Sequence, residues 1–400
     1  MLTVEEAVEQ ILSRVEPLPT EWVDLQATLG RVLGEPVISR REIPPWPNSS
    51  MDGYALRSED AQATNAPLRV VLQIPAGTMP ARTVGPGEAA RIFTGAPMPP
   101  GADAVIPQEE VRVEGDRIVA TRPVRAGDFV RAAGEDVRVG DALLEPGRMI
   151  GPAEIGMLAT LGRPRVRVHR RPRVAILSTG DELAELGTEP GPGQIPNSNT
   201  YTLMAQVSEA GGDPVNLGLA RDRREDIEAR LDWGRAADVL LSSAGVSVGE
   251  FDLVKDALTR LGATLHLWRV SMRPGKPITF GSLGGRPIFG LPGNPVSAMV
   301  TFELFVRPAL RKLAGHARLA RPTVRARALA PIPNPGSRRG YLRVTVTPDD
   351  GGYGVRLTGD QGSSILKSMV LADGLAIVPP DTTVEPGGSV EVILLREPSS

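Results

Sequence analysis

The residues able to do chemistry gather in a few short segments rich in glycine, serine and charge. The fullest of them is Ser242-Ser-Ala-Gly-Val-Ser-Val-Gly-Glu-Phe-Asp252, set between an apolar run (237–241) and a stretch with helical spacing (253–261). Small residues between a strand and a helix let the backbone approach a ligand, and the helix start offers free N–H groups to an anion. Ser243, Ser247 and the backbone suit phosphate-like oxygens, while Glu250 and Asp252 bring hard oxygen donors for a divalent cation. Taken alone, the same composition also describes a tight strand-to-helix turn. Four similar segments accompany it. The run 174–179 ends in Gly180-Asp-Glu182, and 215–219 ends in Arg221-Asp222. Arg273-Pro-Gly-Lys-Pro277 follows, and the run 286–290 leads into Leu291-Pro-Gly-Asn-Pro-Val-Ser297. Carboxylates, fixed cations and hydroxyls in this mixture suit a site that binds anions and magnesium and works by positioning and charge stabilisation.

Strands and helices must hold these segments in place. Helical patterns cover 200–210, with Asn199 as N-cap and Gly211 as stop, and 224–233. A third covers 296–313, with Asn294 as N-cap, Pro295 at the first helical position and Pro308 as a kink or break. Alternating strands and helices predict a parallel sheet with helices on both faces. Ligands of such sheets bind beyond the carboxyl ends of the strands, where all five segments fall.

Glycine and proline, 44 and 38 residues, are dense between 67 and 140, where short apolar runs (68–74, 111–113) alternate with turns. A mostly β domain with few short helices is expected there. The region 322–397 repeats the habit. Runs 341–347 and 353–357 flank a turn at 348–352, and 390–395 makes a last strand of a small β-barrel or sandwich. The 400 residues suggest three or four compact units. Thr3 and Glu6 have capping-box spacing ahead of an amphipathic helical pattern, so the N-terminus reads as fold rather than as a signal peptide.

A net charge of −2 supplies no global field for nucleic acid, and no apolar run is long enough to span a bilayer. The expectation is a cytoplasmic protein with neither nucleic-acid nor membrane partners. Zero cysteines exclude disulfides, thiolate nucleophiles, iron–sulfur clusters and cysteine zinc sites. His169, His266 and His316 have no ligand-like spacing and read as surface or packing residues.

Several motifs together resemble the molybdopterin molybdenumtransferases, the MoeA-type molybdenum insertases related to the E domain of gephyrin. They are Pro47-Asn-Ser-Ser-Met-Asp-Gly-Tyr-Ala55, the stretch from Arg91-Ile-Phe-Thr-Gly95 to Val105, Gly134-Glu-Asp136 and Ser178-Thr-Gly-Asp-Glu-Leu183. The loop 243–252, Pro274-Gly-Lys-Pro277 and Leu291-Pro-Gly-Asn-Pro-Val-Ser297 complete the set, in the family's order through most of the chain. Three positions depart from the usual pattern: Ala244 replaces the first of two glycines, Arg273 a lysine, and Asn197 an aspartate common in many members.

The resemblance implies four domains: a discontinuous linking domain (1–44 and 137–168), an inserted β-rich domain (45–136), a doubly wound molybdopterin-binding α/β domain (169–318) and a C-terminal β domain (319–400). It implies a homodimer whose cleft combines the α/β domain of one subunit with the inserted domain of the other. Molybdopterin adenylyltransferase and molybdoenzyme-maturation proteins are implied as further partners. The implied reaction places molybdenum from molybdate on the dithiolene of adenylylated molybdopterin, with magnesium-dependent release of AMP. On that basis Asp181, Glu182, Asp222 and Asp252 would hold Mg2+, mostly through water. Gly245, Ser247, Gly249 and Glu250 would meet the pterin phosphate and its metal. Arg273, Pro274, Gly275, Lys276, Pro277, Pro292, Asn294, Ser297, Arg339 and Ser363 would line the substrate pocket, with Lys276 at the molybdate. Either Arg338 or Arg339 could face it. Asp52, Thr94 and Asp136 would close the cleft across the dimer. Two other function classes stay open: adenylylation of molybdopterin with ATP, and a scaffold role.

Overall fold

The computed structural model describes residues 1–62, 66–244, 253–349 and 351–398. Two compact units divide the chain: residues 1–34, 146–155 and 165–400 form one, residues 35–145 and 156–164 the other.

The first unit begins with the helix Val4–Leu12, and the expected capping box is present. Glu6 N–H donates to Thr3 Oγ1 at 3.2 Å and Thr3 N–H to Glu6 Oε2 at 2.7 Å. Next in space comes a six-stranded sheet whose strands are labelled β1 to β6 in chain order: Arg173–Thr179, Asp213–Ala220, Val239–Ser243, Thr264–Arg269, Pro277–Leu283 and Arg286–Leu291. Their spatial order is β2-β1-β3-β6-β5-β4. β2, β1, β3 and β6 run parallel, but β5 is antiparallel to both of its neighbours. The sheet is therefore mixed, not purely parallel as expected. Gly284 and Gly285, at φ +56° and +80°, turn the chain straight back from β5 into β6 and so reverse β5.

Helices cover both faces. We label Ser198–Glu209 α1, Arg224–Trp233 α2, Leu253–Arg260 α3, Pro295–Thr301 α4 and Arg307–Leu313 α5. Val174, Ile176 and Leu241 pack with Leu203 and Val207 of α1 and with α4 and α5. Ala175, Leu177 and Leu240 point the other way, onto Ile227 and Leu231 of α2 and Val254 and Leu258 of α3. Successive residues of one strand thus feed opposite cores, the period of two expected of a strand buried on both sides. The single helix expected over 296–313 is instead α4 and α5 joined by a π-helical turn, Phe302–Val306. Pro308 has no N–H for the usual bond one turn back, and the widened turn before it absorbs the mismatch.

Five strands, Thr323–Ala328, Arg339–Asp349, Gly352–Leu357, Gly374–Val378 and Ser389–Leu394, close into a barrel around Leu342, Val344, Val355 and Val392. The hairpin turn is tighter than its proline suggests, because Pro348 and Asp349 still pair across it with Tyr353 and Gly352.

A buried charge cluster ties the barrel's chain ends to the helices. Arg321 donates at 2.7 Å to Glu303 Oε2, to Glu209 Oε1 and to the Leu395 carbonyl. His316 lies beside this cluster, and burial, helped by the charges of Arg311 and Arg307, pushes its pKa down to about 4. Above pH 6.5 the ring is neutral in both folded and unfolded chains and contributes no pH dependence. Between pH 6.5 and 4 the unfolded chain takes up a proton that the folded one refuses, so stability falls as pH falls. We expect a loss approaching about 3 kcal/mol at pH 4, from roughly 1.4 kcal/mol per pH unit. Chemical denaturation across that range should show it in the wild type and show it flattened in His316→Gln.

The second unit is built on another six-stranded sheet, in the order Ala104–Pro107, Gly53–Leu56, Glu88–Ile92, Pro67–Ile74, Arg117–Ala120, Val111–Glu114. Between residues 45 and 136 its described helices are short 3-10 turns, as the turn-rich sequence implies, and the α-helix Pro152–Thr160 runs from the first unit into the second.

Candidate active site

Parallel register brings three strand ends to one rim. Ser178 of β1 is level with Ser243 of β3, and Ser243 with Leu291 of β6. The loops leaving these strands surround a cleft of about 560 Å3, lined among others by Asn197, Asn199, Ser243, Ala244, Pro292 and Asn294. A second cavity of about 440 Å3 shares Glu182 and Ala244 with the first and adds Asp222, Thr179 and Leu253. Ala244, the position departing from glycine, is held at φ +73°, a left-handed conformation that costs an alanine and suits a glycine.

Local chemistry sets the cleft's walls. Asn197, not Asn199, caps α1: its Oδ1 accepts from Thr200 N–H at 3.3 Å. Asn199 falls inside the first turn and faces inward, donating to Ser243 Oγ and the Gly293 carbonyl. Asn294 occupies the N-cap position of α4, with Pro295 next, but its side chain makes no capping bond. The amide instead reaches the barrel and donates to Ser363 Oγ at 3.0 Å, while Val296 N–H donates to the Ser363 carbonyl. Ser363 is thereby brought to the rim, and Ser364 lines the cleft.

Of the expected magnesium acids, Asp181 and Asp222 face each other. Each N–H points to the other's carboxylate at 3.4 Å, and Arg221 approaches Asp181 at 4.0 Å. Glu182 folds back against Gly180, where a Cβ would lie 2.4 Å from its Oε2. Among the described residues no group of three acidic or histidine side chains is arranged around a metal. Asp252, with Gly245, Ser247, Gly249 and Glu250, lies outside the described residues. Two facing carboxylates still fit Mg2+, which takes one or two protein oxygens and fills its shell with water and substrate phosphates.

The loop 270–277 approaches α4 closely. Gly275, at φ +101°, has Thr301 Cγ2 where a Cβ would lie 2.4 Å away, so only glycine lets the loop seat there. Pro274 and Ser297 are buried, Lys276 is exposed, and Pro277 lines the cleft. Arg273 donates to the Pro335 carbonyl at 3.3 Å. Arg339, expected in the pocket, is held by Glu5 of the N-terminal helix. Arg339 pairs with Met272 through its backbone, while the Arg338 side chain turns to the loop and donates to the Met272 carbonyl at 3.1 Å.

Arg343 went unnoticed in the sequence. It is 0% exposed, with Nε donating to Ser368 Oγ and Nη2 to the Gly362 carbonyl, both at 3.0 Å. Its Nη1 is buried with no hydrogen-bond partner among the described residues. Burial first, and then the nearby charge of Arg273, push its pKa down to about 10, so the group stays cationic at neutral pH. Alternation puts Arg343 on the face of Tyr341, opposite the barrel-core residues Leu342 and Val344, where an arginine in sequence reads as exposed. It is buried because the segment of Gly362 and Ser368 packs over that face.

In the second unit, Asp52 and Thr94, both expected at the site, are brought together. Thr94 N–H and Oγ1–H both donate to Asp52 Oδ1 at 2.8 Å. These bonds, the backbone one foremost, hold the Asp52 carboxyl below its ordinary range. Arg91 stacks between the rings of Tyr54 and Phe93 at 4.9 and 5.1 Å and adds its charge to the same effect. Asp136 is exposed, with its N–H donated to the Ile43 carbonyl.

Known proteins match along the whole chain. The MoeA N-terminal region (domain I and II) matches residues 2–162, a probable molybdopterin binding domain matches 175–312, and the MoeA C-terminal region (domain IV) matches 325–395. A molybdopterin molybdenumtransferase of Nostoc sp. is 42% identical over 95% of this chain and 89% of its own length. Molybdopterin molybdenumtransferase 2 of Mycobacterium tuberculosis is 36% identical over 97% of this chain and 98% of its own. A crystal structure of a molybdopterin biosynthesis MoeA protein from Pyrococcus horikosii superposes with a TM-score of 0.85 at 33% identity, covering 98% of this chain and 99% of that one. With three family regions matched in order and relatives this similar over nearly full length, the chain belongs to the MoeA family of molybdopterin molybdenumtransferases.

Proposed function

We propose that this chain is a molybdenum insertase: it places molybdenum from molybdate on the dithiolene of adenylylated molybdopterin and releases AMP. One observation carries the reading. Arg343 presents a buried cationic N–H with no partner, beside Arg273 and beneath the loop of Ser363. No carboxylate hydrogen-bonds that guanidinium among the described residues, and the nearby Asp360 offsets only part of its charge, so an anionic occupant would meet a cation with a donor to spare. Lys276 adds a second cation on a turn that Gly275 and Pro277 hold in shape, and Ser297 and Ser363 add hydroxyls.

The strand-end cleft takes the pterin nucleotide. Asn197 and Ser198 offer polar edges beside the flat apolar surfaces of Pro292 and Pro295, while the Asn199 amide is engaged with Ser243 and Gly293. Asp181 and Asp222, with Glu182 beside them, are the residues that would hold Mg2+, which when bound neutralises charge on the pyrophosphate. Asp52, Thr94 and Asp136 serve the site from the other subunit of a homodimer, with a molybdopterin adenylyltransferase upstream and apo-enzyme maturation proteins downstream. No helix among the described residues is long and apolar enough to cross a membrane. We infer a cytoplasmic enzyme from that and from the cysteine-free sequence.

The test is the molybdate dependence of AMP release from adenylylated molybdopterin. Insertion requires molybdate and no ATP, whereas ATP consumption in its absence would replace this reading with adenylyl transfer. Within that assay, Lys276→Ala should need on the order of ten- to a hundredfold more molybdate for half-maximal rate, from roughly 1.5–3 kcal/mol for a charge-assisted hydrogen bond. Its affinity for the pterin nucleotide should change much less. A variant that loses the nucleotide and keeps its molybdate dependence would make Lys276 a phosphate ligand.

A further inference from the structure

A single buried amide joins the two walls of the cleft. Asn199 is 9% exposed, and its Nδ2 donates to Ser243 Oγ and to the Gly293 carbonyl, both at 2.7 Å. Ser243 ends β3, and Gly293 follows β6. Ala244 N–H donates alongside to the Leu291 carbonyl at 3.1 Å. From Gly293 the connection continues through Asn294 to Ser363, and from Gly362 to Arg343. The first turn of α1, two strand-end loops and the barrel loop therefore form one hydrogen-bonded belt around the cleft. Asn199 Oδ1 is buried with no partner among the described residues. An apolar side chain here would remove that orphan acceptor but take the donor away from both the Gly293 carbonyl and Ser243 Oγ, so the two N–H bonds are what the amide supplies.

We propose that Asn199 is a positioning residue for insertion: it fixes the spacing between the β3 and β6 loops and so keeps nucleotide and molybdate in register. The proposal rests on the function given above, with the nucleotide on the strand-end loops and the anion toward Lys276 and Arg343. The bonds from Ala244 N–H to the Leu291 carbonyl and from Asn294 to Ser363 do not depend on the amide, so each ligand should still bind when it is removed. What is lost is the mutual geometry on which the rate depends, where displacements near 1 Å can cost about a hundredfold.

The experiment compares wild type, Asn199→Ala, Ser243→Ala and the double variant as full chains. Molybdate alone and AMP alone are titrated calorimetrically, and kcat and KM are measured for molybdate-dependent AMP release. For Asn199→Ala we expect both affinities within about threefold of wild type and kcat lower by roughly thirtyfold, with KM little changed. Ser243→Ala should lose less, and the double variant should be no worse than Asn199→Ala, because both remove the same bond. Unchanged kcat, or a loss that merely follows weakened binding of both ligands or a smaller folded fraction, overturns the proposal. If Asn199→Ala does not fold, Ser243→Ala decides by the same split between kcat and affinity. A wild type that releases no AMP on adding molybdate would instead refute the insertase function itself.

Discussion

Arg343→Met should abolish molybdate-dependent AMP release, lowering it more than a hundredfold, while the chain still folds. Methionine fills most of the arginine's volume and carries no charge into the barrel wall. Taking a buried guanidinium out of the protein relieves its desolvation, which offsets the hydrogen bonds lost to Ser368 and Gly362. Ser368 Oγ–H keeps its bond to the Ile365 carbonyl at 2.6 Å, so the acceptors left without a donor are the carbonyls of Gly362 and, at a long 3.5 Å, Asp360. The expected change in stability is therefore small, within about 2 kcal/mol either way. Activity has no such compensation. The cation proposed to meet the dianion is gone, and the loop bearing Ser363 loses its tether. Arg343→Lys should rescue little, because one ammonium cannot reach Ser368, Gly362 and an anion together as the planar fork does. Thermal unfolding and a molybdate titration of AMP release decide the matter; wild-type molybdate dependence in Arg343→Met would remove the residue from the pocket.

Asp222→Asn should lose most of its response to magnesium and at least a hundredfold in rate. The amide oxygen can still accept the long bond from Asp181 N–H, so the loop after β2 should hold its shape. The negative charge cannot be replaced. With one carboxylate of a facing pair neutralised, the remaining site binds a hard divalent cation far less well. Titrating Mg2+ against AMP release should shift the midpoint upward at least tenfold, and Mn2+ binding followed by paramagnetic resonance should weaken in step. Full activity at the wild-type magnesium requirement would exclude Asp222 from the metal site.

Features governed by neighbours in sequence were legible before any coordinates. The Thr3–Glu6 capping box, the helix Arg224–Trp233 and the buried strands of the α/β sheet follow from spacing alone. Errors arose where two readings were locally equal. Asn197 and Asn199 are both fit to cap α1, and only the position of Gly293 and Ser243 shows which of them turns inward. Gly284-Gly285 has the chemistry of a hairpin turn, which a reading built on strand–helix alternation passes over. Arg339 and Arg343, four residues apart on one strand, share a face and are alike in local pattern. Their separation into a partner of Glu5 and a buried cation depends on barrel closure, a long-range event. The encounter of Asp52 with Thr94, 42 residues apart, likewise required the folded sheet, although both had been marked by their motifs.

The bond from Asn294 to Ser363 has a thermodynamic corollary. It joins a loop of the α/β sheet to a loop of the barrel, so a ligand that needs both surfaces binds only while the barrel is seated. Binding and seating are then linked functions: whatever affinity the ligand draws from the seated barrel it returns, in equal measure, as resistance of the barrel to lifting away. The barrel is held by the Arg321 cluster, by the Asn294–Ser363 bond and by the pairing of Met272 and Arg273 with Arg339 and Gly340, and a bound substrate would add its own share to these restraints.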